Sequence, residues 1–166
     1  MERDEFFREM LRELAGALED IVGLGEAVGY VGLVGEAVGA RLDAGFREEL
    51  GVDRLDRDQV AAVLVELKRR IGGGFSVEQH SPRELVFHNH TCPFGAHVRG
   101  RPSLCMMTSN VFGTIAANHL GYARVELEET IAEGASGCRI RIFLQPGAAP
   151  DGIRVREYFG ASAVEG

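Results

Sequence analysis

Cys138-Arg139-Ile140-Arg141-Ile142-Phe143-Leu144 is the stretch that decides the fold class of this chain. Cys138, Ile140, Ile142 and Leu144 alternate with Arg139, Arg141 and Phe143, the period of two that gives a β-strand one buried face. Working outward, Val125, Leu127 and Ile131 predict a strand before it, and the segment from Ile153 to Phe159 predicts the last strand. Phe75 to Gln79 and Glu84 to His90 read as two further strands around a turn at Ser81-Pro82. Between the two strand groups a loop runs from Cys92 to Arg101. Pro102 then opens a helix, since proline is tolerated in a first turn, and Gly121 closes it after Leu120.

Upstream of Gly72-Gly73-Gly74 the period changes to that of helices. Phe7, Leu11, Leu14, Leu18 and Ile21 follow a 4-3-4-3 spacing on a helix from about Arg3 to Val22. That helix either packs on its own domain or serves as a dimer or signalling helix. From Gly25 to Leu50, Gly29, Gly32, Gly35 and Gly39 recur every three or four residues, a stripe that makes sense where another helix or a ligand approaches the backbone closely. A third helix fits Asp56 to Ile71, capped by Asp56 or Asp58, with Val60, Val63, Leu64 and Leu67 on its apolar face. Helices first and antiparallel strands after them, with one inserted helix, make an α+β fold. The expected organisation is an N-terminal helix over residues 1–22, a single domain over 23–160 and a frayed tail over 161–166.

The chain has 166 residues, 45% apolar and 26% charged, ordinary values for one globular domain. Its formal net charge of −7 and the lack of a basic face speak against nucleic-acid binding through this chain. No apolar run reaches the roughly 18 residues of a membrane span, and Met-Glu-Arg-Asp-Glu does not start a signal peptide. The expected location is cytoplasmic, where an odd set of three cysteines stays reduced, binds metal or does chemistry.

Cys92 follows a strand, Cys105 lies in the first turn of the inserted helix, and Cys138 begins a strand. The helix N-terminus favours a thiolate, the form that binds metal or attacks an electrophile. Twelve residues separate Cys92 from Cys105 and thirty-two separate Cys105 from Cys138, which is not the spacing of a zinc knuckle. By spacing alone, three buried structural cysteines are the favoured reading. His88, His90 and Cys92 alternate and would share a face of a continuous strand, giving metal ligands or a base beside a thiol; His97 in the loop could join either. His119 shares a helix face with Cys105 but sits ~21 Å along it, too far for one metal centre.

The stretch from about Val31 to Leu144 resembles the methanogen output domain family of sensory domains. The residues that carry the resemblance are Asn89-His90-Thr91-Cys92-Pro93-Phe94-Gly95, Arg99-Gly100-Arg101-Pro102-Ser103-Leu104-Cys105, Asn110-Val111-Phe112-Gly113, Leu120-Gly121-Tyr122-Ala123 and Gly137-Cys138. That family looks related to the vinyl-reductase-like ligand-binding fold. A looser similarity runs to the cysteine-rich sensor half of iron–sulfur cluster repressors, which also place twelve residues between their first two cysteines. Their four-cysteine pattern meets only three here. The resemblance implies that Cys92, Cys105 and Cys138 act together.

The leading expectation is a sensory or regulatory domain in signal transduction that uses the three cysteines, holding an iron–sulfur cluster and answering to redox state or a small ligand. It would work as a homodimer with a signalling partner protein. The alternative is a metal-free binding module, with Phe94, Met106, Met107, Phe112 and Ile115 lining an apolar pocket and Arg99 and Arg101 holding an anion. The last is a cysteine-dependent hydrolase, from a distant likeness to thiazoline-ring hydrolases, with Cys92 as nucleophile and His88 or His90 as base. No known nucleophile signature surrounds Cys92.

Overall fold

The computed structural model describes residues 1–160, apart from the side chains of residues 79 and 80 in one strand; the tail expected at 161–166 lies outside the described residues. Four helices and five strands follow in the order α1 (Arg3–Val22), α2 (Leu24–Leu50), α3 (Arg57–Arg70), β1 (Phe75–His80), β2 (Glu84–Asn89), α4 (Pro102–Leu120), β3 (Tyr122–Glu129), β4 (Cys138–Phe143) and β5 (Val155–Phe159). Two short 3-10 turns, Gly95–Val98 and Ile131–Glu133, flank α4 and β4. The fold is α+β: helices at the N-terminus, then an antiparallel sheet of order β1-β2-β4-β3-β5 with α4 inserted in its sequence.

Local chemistry sets the helix ends. Asp56 accepts the Gln59 amide at 2.8 Å and Gln59 accepts the Asp56 amide at 2.9 Å, a reciprocal cap that starts α3. Pro102 is the first residue of α4, and Gly121, at φ 89°, ends it in a left-handed turn. The helix expected from Gly25 to Leu50 is one continuous element, Leu24–Leu50, of 27 residues despite its glycines. The reason is packing. A Cβ on Gly35 would lie 2.7 Å from Asn110 Cβ and 3.0 Å from the Met107 carbonyl, and one on Gly39 would lie 3.2 Å from Thr114 Cβ. Those two glycines let α2 seat directly on α4. Gly29 has open space around it and takes no part in the seam.

β4 shows the alternation its sequence predicts. Cys138, Ile140 and Ile142 point inward with Asn89, Phe87 and Leu85 of β2 and with Leu127 and Val125 of β3. α3 and α4 cover this inner face, and α1 and α2 lie outside α4. Phe112 of α4 meets Phe75 and Phe87 edge-on, with ring centroids 5.6 Å apart in each pair. On the outer face Arg141 bonds Glu84 at 3.0 Å and Glu128 at 2.7 Å, and Arg139 bonds Glu78 at 3.0 Å and also Glu128.

Several boundaries differ from expectation, and three of them move a named side chain out of a strand. β2 stops at Asn89, so His90 is outside the strand. β3 stops at Glu129 after its register shifts between Leu127 and Glu129, which puts Ile131 in a 3-10 turn. β5 begins at Val155, and Ile153 is exposed before it. The α1 seam also divides. Leu11 and Leu18 turn toward α2 and α4, around buried Ala15 and Gly16; Leu14 lines the same groove but stays largely exposed, and Phe7 and Ile21 are exposed. α1 therefore packs on its own domain and keeps an apolar outer side. No helix among the described residues is long and apolar enough to cross a membrane.

Candidate functional site

The end of the sheet where β2 meets β4 is drawn together by Asn89. Its Oδ1 accepts the Cys138 amide at 2.9 Å and its Nδ2 donates to the Thr91 carbonyl at 2.9 Å. The second bond turns the chain out of the strand just before Cys92. Gly137 is needed beside it, because a Cβ there would lie 2.2 Å from the Asn89 carbonyl oxygen. Cys92 thus enters from a loop, Cys105 from the first turns of α4, and Cys138 from the first residue of β4. All three line one pocket with Lys68 of α3, Phe75, Phe94, Val98, Leu104, Leu127 and Ile140.

The pocket is tight. Its cavity is about 20 Å³, on the measure by which one water needs about 10–15 Å³. One sulfur accepts a backbone amide, Ile131 N–H to Cys138 Sγ at 3.4 Å, and the Gly95 amide closes the loop on the Cys92 carbonyl at 2.8 Å. The helix terminus was expected to favour a thiolate. Burial outweighs it: all three thiols are pushed up, Cys105 to about 12. These are neutral thiols at physiological pH.

Lys68 is the residue that sequence reasoning missed. It is the only lysine in the chain, and it is 3% exposed. Nζ donates to Thr108 Oγ1 at 2.8 Å and lies 5.6 and 5.4 Å from the ring centroids of Phe75 and Phe112. Burial lowers it to about 8 from an ordinary 10.5, against a weaker upward pull from the three cysteines. The sequence held a signal, since Lys68 follows Leu64 by four residues on the apolar stripe of α3. It was hidden in the run Lys68-Arg69-Arg70, which looks like an ordinary basic helix end.

Of the other candidates, only Phe94 joins the cysteines in the lining. His88 and His90 stack edge to face at 4.3 Å. His88 pairs with Arg139 on the face opposite Asn89 and Cys138, and His90 is exposed. The shared face expected for His88, His90 and Cys92 is lost because the strand ends before Cys92. His97 pairs with Glu9 of α1 at 3.1 Å. Arg99 is exposed. Arg101 lies against Gly16 of α1 and pairs with Glu19 at 3.6 Å. Met106 and Phe112 are buried in the main core, Phe112 under the Lys68 ammonium. His119, buried near the far end of α4, bonds Asp43 and accepts the Leu55 amide at 3.0 Å.

Among the described residues, no group of three His, Cys, Asp or Glu side chains has the spacing of a metal-ion site. For a cluster the lining offers three thiols and no histidine or carboxylate as fourth ligand, and a four-iron core would require the walls to move apart.

The segment that carries this pocket is also the one that α1 grips. Arg12 Nη1 donates to the carbonyls of His97 at 2.6 Å and Arg99 at 2.7 Å. Glu19 accepts the Ser103 hydroxyl at 2.5 Å.

The sequence model described as methanogen output domain 1 matches residues 10–143. Among solved structures, trafficking protein particle complex subunit 3 from Naegleria fowleri, covalently bound to palmitic acid in that structure, superposes with a TM-score of 0.58. The identity is 16%, over 93% of this chain and 98% of that one, a likeness of fold alone. No curated protein matches the chain.

Proposed function

This chain belongs to the methanogen output domain 1 family, and we propose that it is a sensory or regulatory module whose signal is registered at the thiol-lined pocket. One observation carries the reading: Cys92, Cys105 and Cys138, remote in sequence, line a single pocket, and the segment between the first two is held by α1. A guest or a modified thiol has no free space there, so it must displace Phe94, Val98 or Leu104. Those residues lie on the same short segment as His97, Arg99 and Ser103. The displacement would pull on the carbonyls and hydroxyl that fasten α1, turning a local packing change into movement of a helix. The exposed side of α1, with Phe6, Met10 and Leu14, would then present itself to a second copy or to a signalling partner.

The test is hydrogen exchange of α1 before and after N-ethylmaleimide has modified all three cysteines. Faster exchange in α1 after modification is expected, with no change in a triple cysteine-to-serine variant. Complete modification with unchanged exchange in α1 would sink the proposal.

A second reading makes the pocket an iron–sulfur centre. The convergence of three thiols, with the Ile131 amide on Cys138 Sγ, supports it, since such hydrogen bonds stabilise and tune thiolate-bound clusters. Cys92, Cys105 and Cys138 would hold the cluster as thiolate ligands. Anaerobic purification decides. A brown protein with iron and acid-labile sulfide, bleached by single cysteine-to-serine changes, would establish it. A colourless, metal-free protein with three alkylatable thiols would remove it.

A further inference from the structure

Behind the cysteine pocket lies a second cavity. It is an apolar groove of about 200 Å³ between α2, α3, α4 and the Cys92 loop, lined by Val38, Leu42, Leu67, Ile71, Met107 and Val111. Lys68, Pro93, Phe94 and Thr108 line both cavities and form the wall between them. Lys68 and Thr108 are the two polar residues in a lining that is otherwise apolar.

Lys68 is a charge without a counter-charge. Among the described residues it forms no ion pair; its partners are one hydroxyl and two aromatic faces. Lysine is almost never fully buried unless paired, and an unpaired buried charge is among the most unfavourable groups a protein can hold. The rest of the chain makes the choice more pointed. Every other strongly basic side chain is arginine, and the single lysine stands at this wall. An ammonium is a compact point charge that one small anion can satisfy, whereas an arginine fork would need more room and more acceptors.

We propose that the groove binds an aliphatic carboxylic acid, its chain along Val38, Leu42, Ile71 and Val111 and its carboxylate on the Lys68 ammonium and Thr108 hydroxyl. Burial of the chain supplies affinity, and the carboxylate supplies the missing counter-charge. The acid would press on Pro93 and Phe94 from behind, on the same segment that leads to Arg12 and Glu19 of α1. The anion holder is therefore Lys68, and not Arg99 or Arg101, which lie elsewhere. This proposal rests on the sensory reading of the pocket and names its ligand class.

The chain has no tryptophan, and Ile71 at the groove rim is half exposed, so an Ile71→Trp chain carries one fluorescent reporter. Decanoate and decanol, which share a chain and differ in charge, are titrated against it. Decanoate should bind about tenfold more tightly than decanol, and Lys68→Met should remove that preference while decanol affinity persists. Equal affinities in the parent, or a preference that survives Lys68→Met, would overturn the proposal. A second measurement uses the unsubstituted chain. Isotope-labelled lysine gives a single side-chain resonance, which decanoate should shift and decanol should leave in place. A resonance unmoved at saturating decanoate refutes the site even if Lys68→Met does not fold. If decanoate fails while thiol modification still loosens α1, the ligand class falls and the sensory reading stands.

Discussion

Ser103 donates its hydroxyl to Glu19 at 2.5 Å, so α1 is fastened two residues before Cys105. Ser103 is fully buried, and hydrogen bonds to a charged group are worth about 1.5–3 kcal/mol. Ser103→Ala is expected to lower the unfolding free energy by about 1–2 kcal/mol in urea. It should raise hydrogen exchange in α1 more than in α4. Uniform exchange changes would mean that the bond stabilises the fold without serving as a hinge.

Lys68 makes a pH-dependent prediction. Its folded value of about 8 lies below the ordinary 10.5, so the unfolded chain holds the proton more tightly. The penalty is complete below pH 8 and is relieved as the pH rises from about 8 to 10.5. The thiols oppose this, because Cys105 moves from 9.0 up to about 12 and folding weakens as pH rises through that window. Lys68→Met isolates the lysine, since the thiols titrate in both proteins. Its stability advantage over the parent should shrink by about 1 kcal/mol between roughly pH 8 and pH 9, measured as the difference between two urea curves at each pH.

The two kinds of glycine in α2 should answer oppositely to alanine. Gly29→Ala adds a methyl group in open space and should stabilise by about 0.5–1 kcal/mol through helix propensity. Gly35→Ala drives a Cβ to 2.7 Å from Asn110 Cβ and 3.0 Å from the Met107 backbone oxygen, and should destabilise by about 1–3 kcal/mol. Thermal melts of the two variants and the parent settle both signs.

Reaction with iodoacetamide should rank the thiols. Cys105, pushed furthest from 9.0 to about 12, should react at pH 7 about a thousandfold more slowly than an unperturbed thiol. Cys92, in the loop, should precede it. Mass spectrometry of timed digests gives the order, and urea should abolish the differences. A fast Cys105 would mean that the pocket opens freely.

Much of the architecture was legible because it follows from periods and punctuation. Pro102 and Gly121 bracket α4, and the alternation from Cys138 to Ile142 marks the inner face of β4. The failures share a different cause. The local pattern places Ile131 in a strand and the histidines on the face of Cys92, because neither a register shift at Leu127 nor a turn forced by Asn89 leaves a mark in local hydropathy. The convergence of the cysteines was suggested by resemblance and not by spacing, since it depends on β2 pairing with β4 across forty-odd intervening residues. Lys68 escaped because its type says surface while its position on α3 says core, and reading by type let the type win.

The arginine–glutamate lattice on the outer face of the sheet has a consequence for traffic with other molecules. Arg139 and Arg141 share Glu128 and divide Glu78 and Glu84 between them, so each charge there is already spoken for. A visitor would have to break one of these bonds before making its own. The lattice keeps that face's charges occupied with one another, and under the proposed function the apolar flank of α1 is the terminal through which a message would leave.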